Sequence, residues 1–375
     1  MELYFGVVSK QSPLAERHRS HGAEWIEENG WLLPGHFGDP AEEYRAVRER
    51  VGLLDLCHRS LVRLLGPDRL SFLQGMVSND VKPLLPGQGL YAAILDVSGK
   101  ILADVRILCA DESFVLDLWE SLREKILHHL HRYLVADEVE IIDLTGEFGI
   151  LSLQGPKARL LLHEICAGQE FPSRPYSHRS MRIGDAEVGI TCATHTGEEG
   201  FDLFIETKDL SSVASRLEEA GETLSLRWVG TQALETLRIE AGIPLYGVDM
   251  DEGNLLLETG LDHAVSFHKG CYLGQEVVER IRSRGHVNRR LVGLVLEREK
   301  AARAGDKILA GDKEVGRVTS SVVSPAVKKP IAFGYVSRDH CRDGTRLAIR
   351  STAETFPAVI STLPFYKTTA SLEST

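Results

Sequence analysis

Alternation and helical spacing divide the chain into a long mixed part and a β-rich tail. Two stretches share one plan: an apolar run, a Gly-Pro turn and a short amphipathic helix. The first is Leu61–Leu65, Gly66-Pro67 and DRLSFLQGM; the second is Gly149–Gln154, Gly155-Pro156 and KARLLLHEI. Proline suits the first turn of a helix, where no N–H is required. The segments downstream of the two copies are also alike. After the first, YAAILDVSGKILADVRIL and ADESFVLDLW predict hairpin strands, and WESLREKILHHLHRYLV predicts a helix with Leu122, Ile126, Leu130 and Tyr133 on one face. After the second, MRIGDAEVGITCATHTGEEGFDLFIE predicts strands broken by Gly-Asp and Thr-Gly-Glu turns, then the helix LSSVASRLEEAG. From LVGLVLE, just past Arg289, short β-branched runs between Gly-Asp and Pro turns predict an all-β barrel or sandwich of roughly 80 residues. The pattern therefore predicts an α+β fold with a duplicated α+β unit and a C-terminal all-β barrel. The closing TTASLEST is polar and expected to fray.

At 375 residues the chain is long enough for two or three domains and for a core that needs no staples. Its formal net charge of -11 argues against a whole-surface binder of nucleic acid or anionic membrane, because the mean field repels phosphate. The six cysteines (Cys57, Cys109, Cys166, Cys192, Cys271, Cys341) form no CxxC pair, so zinc-finger, ferredoxin and thioredoxin spacings are absent. The apolar run Leu3–Val8 is too short for a signal-peptide core, and no stretch approaches the ~20 apolar residues of a membrane helix. A cytoplasmic protein with free thiols and no membrane partner is expected.

Chemistry concentrates in a few places. His268-Lys269-Gly270-Cys271-Tyr272-Leu273-Gly274-Gln275-Glu276 sets a cysteine between two glycines, where the backbone can turn tightly and approach a ligand. Lys269 and His268 would lower the thiol pKa if they point the same way; a small buried residue at a helix entry is the competing reading. Next, ERIRSRGHVNRR gathers Arg280, Arg282, Arg284, Arg289 and Arg290 around His286, suited to clamping carboxylates or phosphates or to a solvated linker. Asp104 ends the hairpin Asp96–Asp104, and Asp202 sits in an otherwise apolar strand. An inward carboxylate there must be paired or used. No Walker loop, GxGxxG, HExxH or GxSxG is present. His128, His129 and His131 read as a hydrated helix face, and no metal site is expected, His263, His268 and His286 included.

Taken in order, LVRLLGPDRLSFLQGMVSNDV, PGQGLYAAILDVSGKILAD, THTGEEGFDL, LETLRIEAGIPLYG and HKGCYLGQEVVERI resemble the folate-binding superfamily of the glycine-cleavage T-protein, from about Gly52 to about Thr362. The K-G-C-Y-x-G-Q-E element resembles the signature of its YgfZ branch; the T-protein proper has a different loop and no such cysteine. The resemblance implies a three-domain cloverleaf around a central folate channel. Expected boundaries are 1–55 with 145–250 for one α+β domain, 56–144 for a second, 251–288 for the signature loop and linker, and 289–368 for the barrel. It implies tetrahydrofolate or a one-carbon derivative as cofactor. Tyr91 matches the channel tyrosine and Asp104 the catalytic aspartate of G-G-I-x-D-D, with Ala103 replacing the first acid and Lys100 the second glycine. Asp202 matches the acid that holds the pterin ring, where two carboxylate oxygens suit two parallel N–H bonds. Arg238 matches the arginine of L-R-x-E-A-G, and His195 stands where the T-protein has tyrosine.

Two functions are expected on this basis. The leading one is a YgfZ-type folate-binding protein that supports iron–sulfur enzymes as clients and affects tRNA modification indirectly. There Cys271 works, Lys269 keeps it as thiolate, Gln275 and Glu276 shape the loop, and Tyr91, Asp104, His195, Asp202 and Arg238 seat the folate. The alternative is a tetrahydrofolate-dependent aminomethyltransferase, with Asp104 beside the reactive folate nitrogen. Direct tRNA binding rests on the arginine run alone and is not expected.

Overall fold

The computed structural model describes residues 9–166 and 170–368. The apolar run Leu3–Val8 and, apart from Thr368, the terminal TTASLEST lie outside them. The fold is α+β, with the duplicated unit visible in its details. Strand Arg59–Leu65 leads into helix Arg69–Met76, and strand Phe148–Gln154 leads into helix Ala158–Ile165. Both turns pivot on a glycine at positive φ, +103° at Gly66 and +128° at Gly155. A Cβ at Gly66 would lie 2.1 Å from the Glu138 carbonyl oxygen, and one at Gly155 would lie 2.7 Å from those of Val47 and Arg50. Only glycine fits either place.

Each copy builds a sheet around itself, antiparallel except where Arg227–Trp228 pairs in parallel with Gly52–Asp55. The first lies in a five-stranded sheet of Gln88–Leu95, Ile101–Cys109, Phe114–Trp119, Arg59–Leu65 and Glu140–Asp143, in that spatial order. The second lies in a six-stranded sheet of His178–Ile183, Ala186–Cys192, Gly200–Glu206, Phe148–Gln154, Gly52–Asp55 and Arg227–Trp228. A helix then covers the outer face of each. Arg123–Tyr133 buries Ile126 and Leu130 against Val62, Leu64, Val105 and Leu116. Leu210–Gly221 buries Val213, Ala214 and Leu217 against Leu151, Leu203 and Ile205. The first helix begins later than its periodicity predicts. Trp119 is still extended and Glu120–Leu122 forms a 3₁₀ turn before the α-helix starts.

Because side chains alternate across a strand, the inner face of each sheet is left for the other. Leu54, Leu56, Leu61, Val115, Ile150 and Phe204 form an apolar cluster between the two. Toward one end of this interlayer the residues turn polar, and that is where the candidate site lies. Arg289–Leu296 opens a closed six-stranded barrel running to Ser361. Helix Thr231–Glu240 docks on it through Ile239, which packs with Ile331, Phe333 and Tyr335. Among the described residues no helix is long and apolar enough to cross a membrane.

Candidate functional site

Strand register assembles the polar end of the interlayer. Across the five-stranded sheet Tyr91, Arg106, Asp117 and Leu61 stand side by side in one row. Across the other sheet Thr191, Asp202, Ser152 and Leu54 form the facing row. Arg106 bridges them: its Nη1 donates to Asp202 Oδ2 at 2.8 Å and to Asp117 Oδ2 at 3.3 Å. Arg59 donates from Nε to the other oxygen of Asp117 at 2.6 Å and lies over the Trp119 ring. His195 Nε2 is 3.0 Å from both oxygens of Asp202, and its Nδ1 is 3.2 Å from Arg106 Nη2. Asp117 and Asp202 are 0% and 1% exposed, so four formal charges are held away from water and balance one another.

The electrostatics arise from that enclosure. Burial alone would raise the Asp202 carboxyl, but the His195 and Arg106 contacts outweigh it and hold the pKa at about 2. Burial pushes the His195 imidazole down, against the pull of Asp202. A neutral ring donating from Nε2 to Asp202 and accepting at Nδ1 from Arg106 satisfies both neighbours. Arg106 loses hydration on burial, yet Asp202 and Asp117 more than restore its cationic form.

Two residues along the same strand, Asp104 shares the inward face with Arg106. The Tyr91 hydroxyl donates to Asp104 Oδ2 at 2.9 Å, while Asp104 Oδ1 is buried without a hydrogen-bond partner. Burial, and then the Asp104 carboxylate, push the Tyr91 phenol well above its ordinary range, which keeps it a donor. Two other rings stack near the Tyr91 ring, His263 at 5.4 Å and Tyr176 at 6.3 Å, with interplanar angles of 23° and 14°. Tyr176 holds φ at +60°, a conformation that costs a non-glycine residue about 1–3 kcal/mol and collects at functional sites. Aromatic rings beside a carboxylate oxygen with spare acceptor capacity suit a flat heteroaromatic ligand bearing an N–H.

Two cavities adjoin residues that pack on this layer, although Asp104, Arg106 and Asp202 line neither. One of about 330 Å³ is lined by His58, Trp119, Trp31, Asp55, Tyr246 and Arg238 among others, and reaches the layer where Trp119 backs Arg59. Another of about 440 Å³ reaches it at His263, beside the barrel residues Arg290 and Cys341. Arg59, Arg106, Asp117 and Tyr176 were not selected from sequence. Alternation in ADVRIL and FVLDLW does set Arg106 and Asp117 among apolar neighbours, a usable signal.

Other selected residues have different surroundings from those expected. Arg238 is 4% exposed and spends all five donors inside the protein, on both Glu235 oxygens, Asp249, the Ile243 carbonyl and Ser320. It clamps its helix to the barrel and has no donor left for a ligand. Lys269 does not serve the thiol. Its ammonium donates to the carbonyls of Gln74, Val77 and Asn79 at 2.6–2.8 Å, at the C-terminal end of helix Arg69–Met76. Burial lowers its pKa to about 8. Cys271 is exposed. Gln275 and Glu276 open helix Gln275–Arg284 after Gly274, which packs against the hairpin turn at Asp96 and Gly99. The arginine run is partly paired: Arg289 with Glu258, Arg290 with Asp262, and Arg282 with the Phe267 carbonyl.

Residues 14–269 match the GCVT N-terminal domain, and residues 289–367 match the glycine cleavage T-protein C-terminal barrel domain. An aminomethyltransferase from Rubrobacter xylanophilus is 36% identical over 359 residues, covering 96% of this chain and 94% of that protein. One from Symbiobacterium thermophilum is 32% identical over 375 residues, covering 96% and 97%. The crystal structure of glycine cleavage system aminomethyltransferase T from Bartonella henselae superposes with a TM-score of 0.87 at 27% identity, covering 96% of this chain and 98% of that one. These relatives overturn the expectation of an iron–sulfur support protein drawn from the K-G-C-Y-x-G-Q-E loop. The similarity is to aminomethyltransferases along nearly the whole chain, and the loop's lysine is committed to a helix end rather than to the thiol. Matched across both the mixed part and the barrel, the chain belongs to the glycine-cleavage T-protein family.

Proposed function

We propose that this protein is an aminomethyltransferase, passing a one-carbon unit from an aminomethylated carrier protein to tetrahydrofolate. The observation that carries the reading is the buried, unpartnered Oδ1 of Asp104, fixed by Tyr91 on its other oxygen and flanked by stacked rings. A folate fits this part of the site: its flat ring suits the aromatic stack, and a ring or bridge N–H suits the free oxygen. The Asp202 end does not fit in the same way, since both of its oxygens are engaged.

When bound, tetrahydrofolate supplies the nitrogen nucleophiles that take up the carbon, while ammonia and the freed carrier leave. The protein's part is positioning and charge. Asp104 accepts an N–H from the folate, turns that nitrogen toward the incoming carbon, and opposes the positive charge that develops during transfer. Tyr91 holds the carboxylate in one orientation. The mutual hydrogen bonds of Arg59, Arg106, Asp117 and Asp202 hold these charges in place, so little reorganisation is needed at the moment of transfer. Arg238 enters as a positioning residue that seats its helix on the barrel.

The test is Asp104→Asn, which keeps the shape and removes the charge. Turnover is expected to fall by about 10²- to 10⁴-fold, with tetrahydrofolate affinity changed by less than about threefold. Unaltered turnover in this variant would remove Asp104 from the chemistry.

A further inference from the structure

Aminomethyl transfer asks two things of the polar layer: an acceptor for the folate N–H, and a donor for the nitrogen that leaves as ammonia. Asp104 supplies the first. The side chains around it are largely engaged. The Tyr91 hydroxyl is on Asp104, Arg106 on Asp117, Asp202 and His195, and Arg59 on Asp117 and over the Trp119 ring. His263 lines the barrel-side cavity, where Asp262 is the charge that acts on it. The Tyr176 hydroxyl differs from all of these, since it has no hydrogen-bond partner among the described residues. Resting on the aminomethyltransferase reading above, we propose that this hydroxyl is the hydrogen-bond donor for the aminomethyl nitrogen of the incoming carrier and holds that nitrogen as it departs.

The backbone holds Tyr176 at a cost that its own contacts do not repay. Its φ of +60° is strained for a bulky side chain, and such strain persists only where the surroundings over-determine it. Here they do. The Tyr176 N–H donates to the Cys192 carbonyl of the six-stranded sheet at 2.8 Å. Two residues on, the His178 N–H donates at 2.8 Å to the Gly87 carbonyl, just ahead of the five-stranded sheet. So fixed, the ring stacks near Tyr91, the residue that orients Asp104, and stays half-buried, within reach of a ligand. Burial raises the phenol pKa; Arg106 opposes, and Asp104 and Asp202 add to the rise. The group therefore keeps its proton and acts as a neutral donor. In the step it serves, the bond from the folate nitrogen to the carbon forms as the carbon–amine bond breaks. The electron pair passes to the departing nitrogen, where the Tyr176 hydrogen bond strengthens. The proton shed by the folate nitrogen reaches the departing one through Asp104. Ammonia leaves, Asp104 is again a carboxylate, and Tyr176 is unchanged.

Tyr176→Phe isolates the hydroxyl, because it keeps the ring and breaks no hydrogen bond in the free protein. In the full-length protein its kcat is expected to fall about 10²-fold. Its calorimetric Kd for tetrahydrofolate should stay within about threefold of wild type, with the urea midpoint unchanged. A second readout needs no turnover: titration with aminomethylated and with unmodified carrier protein, in the absence of folate. Wild type is expected to prefer the aminomethylated form about three- to tenfold, and Tyr176→Phe to lose that preference. Where Tyr176→Phe fails to fold, Tyr176→Asn carries the same expectations for kcat and preference, since asparagine accepts positive φ. A merely structural tyrosine leaves both readouts unmoved in the phenylalanine variant. Wild type without a preference, or a folded variant that keeps it or turns over within about threefold of wild type, overturns the proposal. A loss carried by tetrahydrofolate affinity also overturns it and makes Tyr176 a folate contact. Each of these results leaves the aminomethyltransferase reading intact. Absence of turnover in the wild-type protein removes that reading, and the role of Tyr176 with it.

Discussion

Arg238 and His58 show how far single side chains are committed. Arg238 holds Asp249, which is 2% exposed and also bonded by Thr319 and Ser320 of the barrel. Truncating the arginine leaves that carboxylate buried without its cation, so Arg238→Met is expected to cost about 3–5 kcal/mol in urea unfolding. Loss of less than about 1 kcal/mol would contradict the clamp role. His58 packs on Trp119 at 5.4 Å, and burial lowers its pKa to about 4, with Asp55 opposing. The unfolded chain takes up this proton near pH ~6.5, whereas the native state stays neutral down to about 4. Its contribution is therefore complete above pH ~6.5 and is lost as pH falls toward about 4. His58→Asn is expected to flatten the acid side of the stability profile across that window, read from urea midpoints. An unchanged slope would contradict the assignment.

At the level of elements, the Gly-Pro turns and the loop around Cys271 make opposite points. The two turns were legible because their constraint is local: glycine for a positive φ, with apolar runs on either side; the prolines stand just ahead of the N-caps Asp68 and Lys157 and not in the first helical turn. Gly155→Ala would push a Cβ to 2.7 Å from two carbonyl oxygens at φ +128° and is expected to destabilise by at least about 2 kcal/mol, measured by chemical unfolding. The loop was misleading because nothing in its nine residues tells where the lysine reaches. Lys269 finds carbonyls up to 195 residues away, and its substitution is expected to loosen helix Arg69–Met76, not to alter Cys271. Hydrogen exchange in Lys269→Met should rise at the end of that helix; unchanged protection would count against the cap. The same separation hid the polar layer. Asp104 and Arg106 share a face by simple alternation, but the partner of Arg106 lies 96 residues on, across an interlayer set by strand register.

Most of the molecule is two copies of one sheet-and-helix plan, packed inner face to inner face and joined to a closed barrel, with a small three-stranded sheet of Lys10–Gln11, Trp31–His36 and Glu24–Glu28 ahead of them. The α+β class and the barrel were readable from periodicity, while the interlayer and its charges emerged only once the sheets faced each other. Duplication explains why the site lies between the copies: each sheet buries one face under its own helix and leaves the other for its twin. A network of four charges there is expensive and adds little to stability over apolar packing, which directs attention to what it binds. The central claim is that this interlayer holds tetrahydrofolate against Asp104 during one-carbon transfer. The most direct measurement mixes the purified protein with tetrahydrofolate and an aminomethylated carrier protein and monitors ammonia and methylenetetrahydrofolate together. Equal amounts of the two, formed only when all three components are present, are the expected result. Ammonia at the uncatalysed rate, under conditions where a parallel titration shows folate bound, would contradict the account.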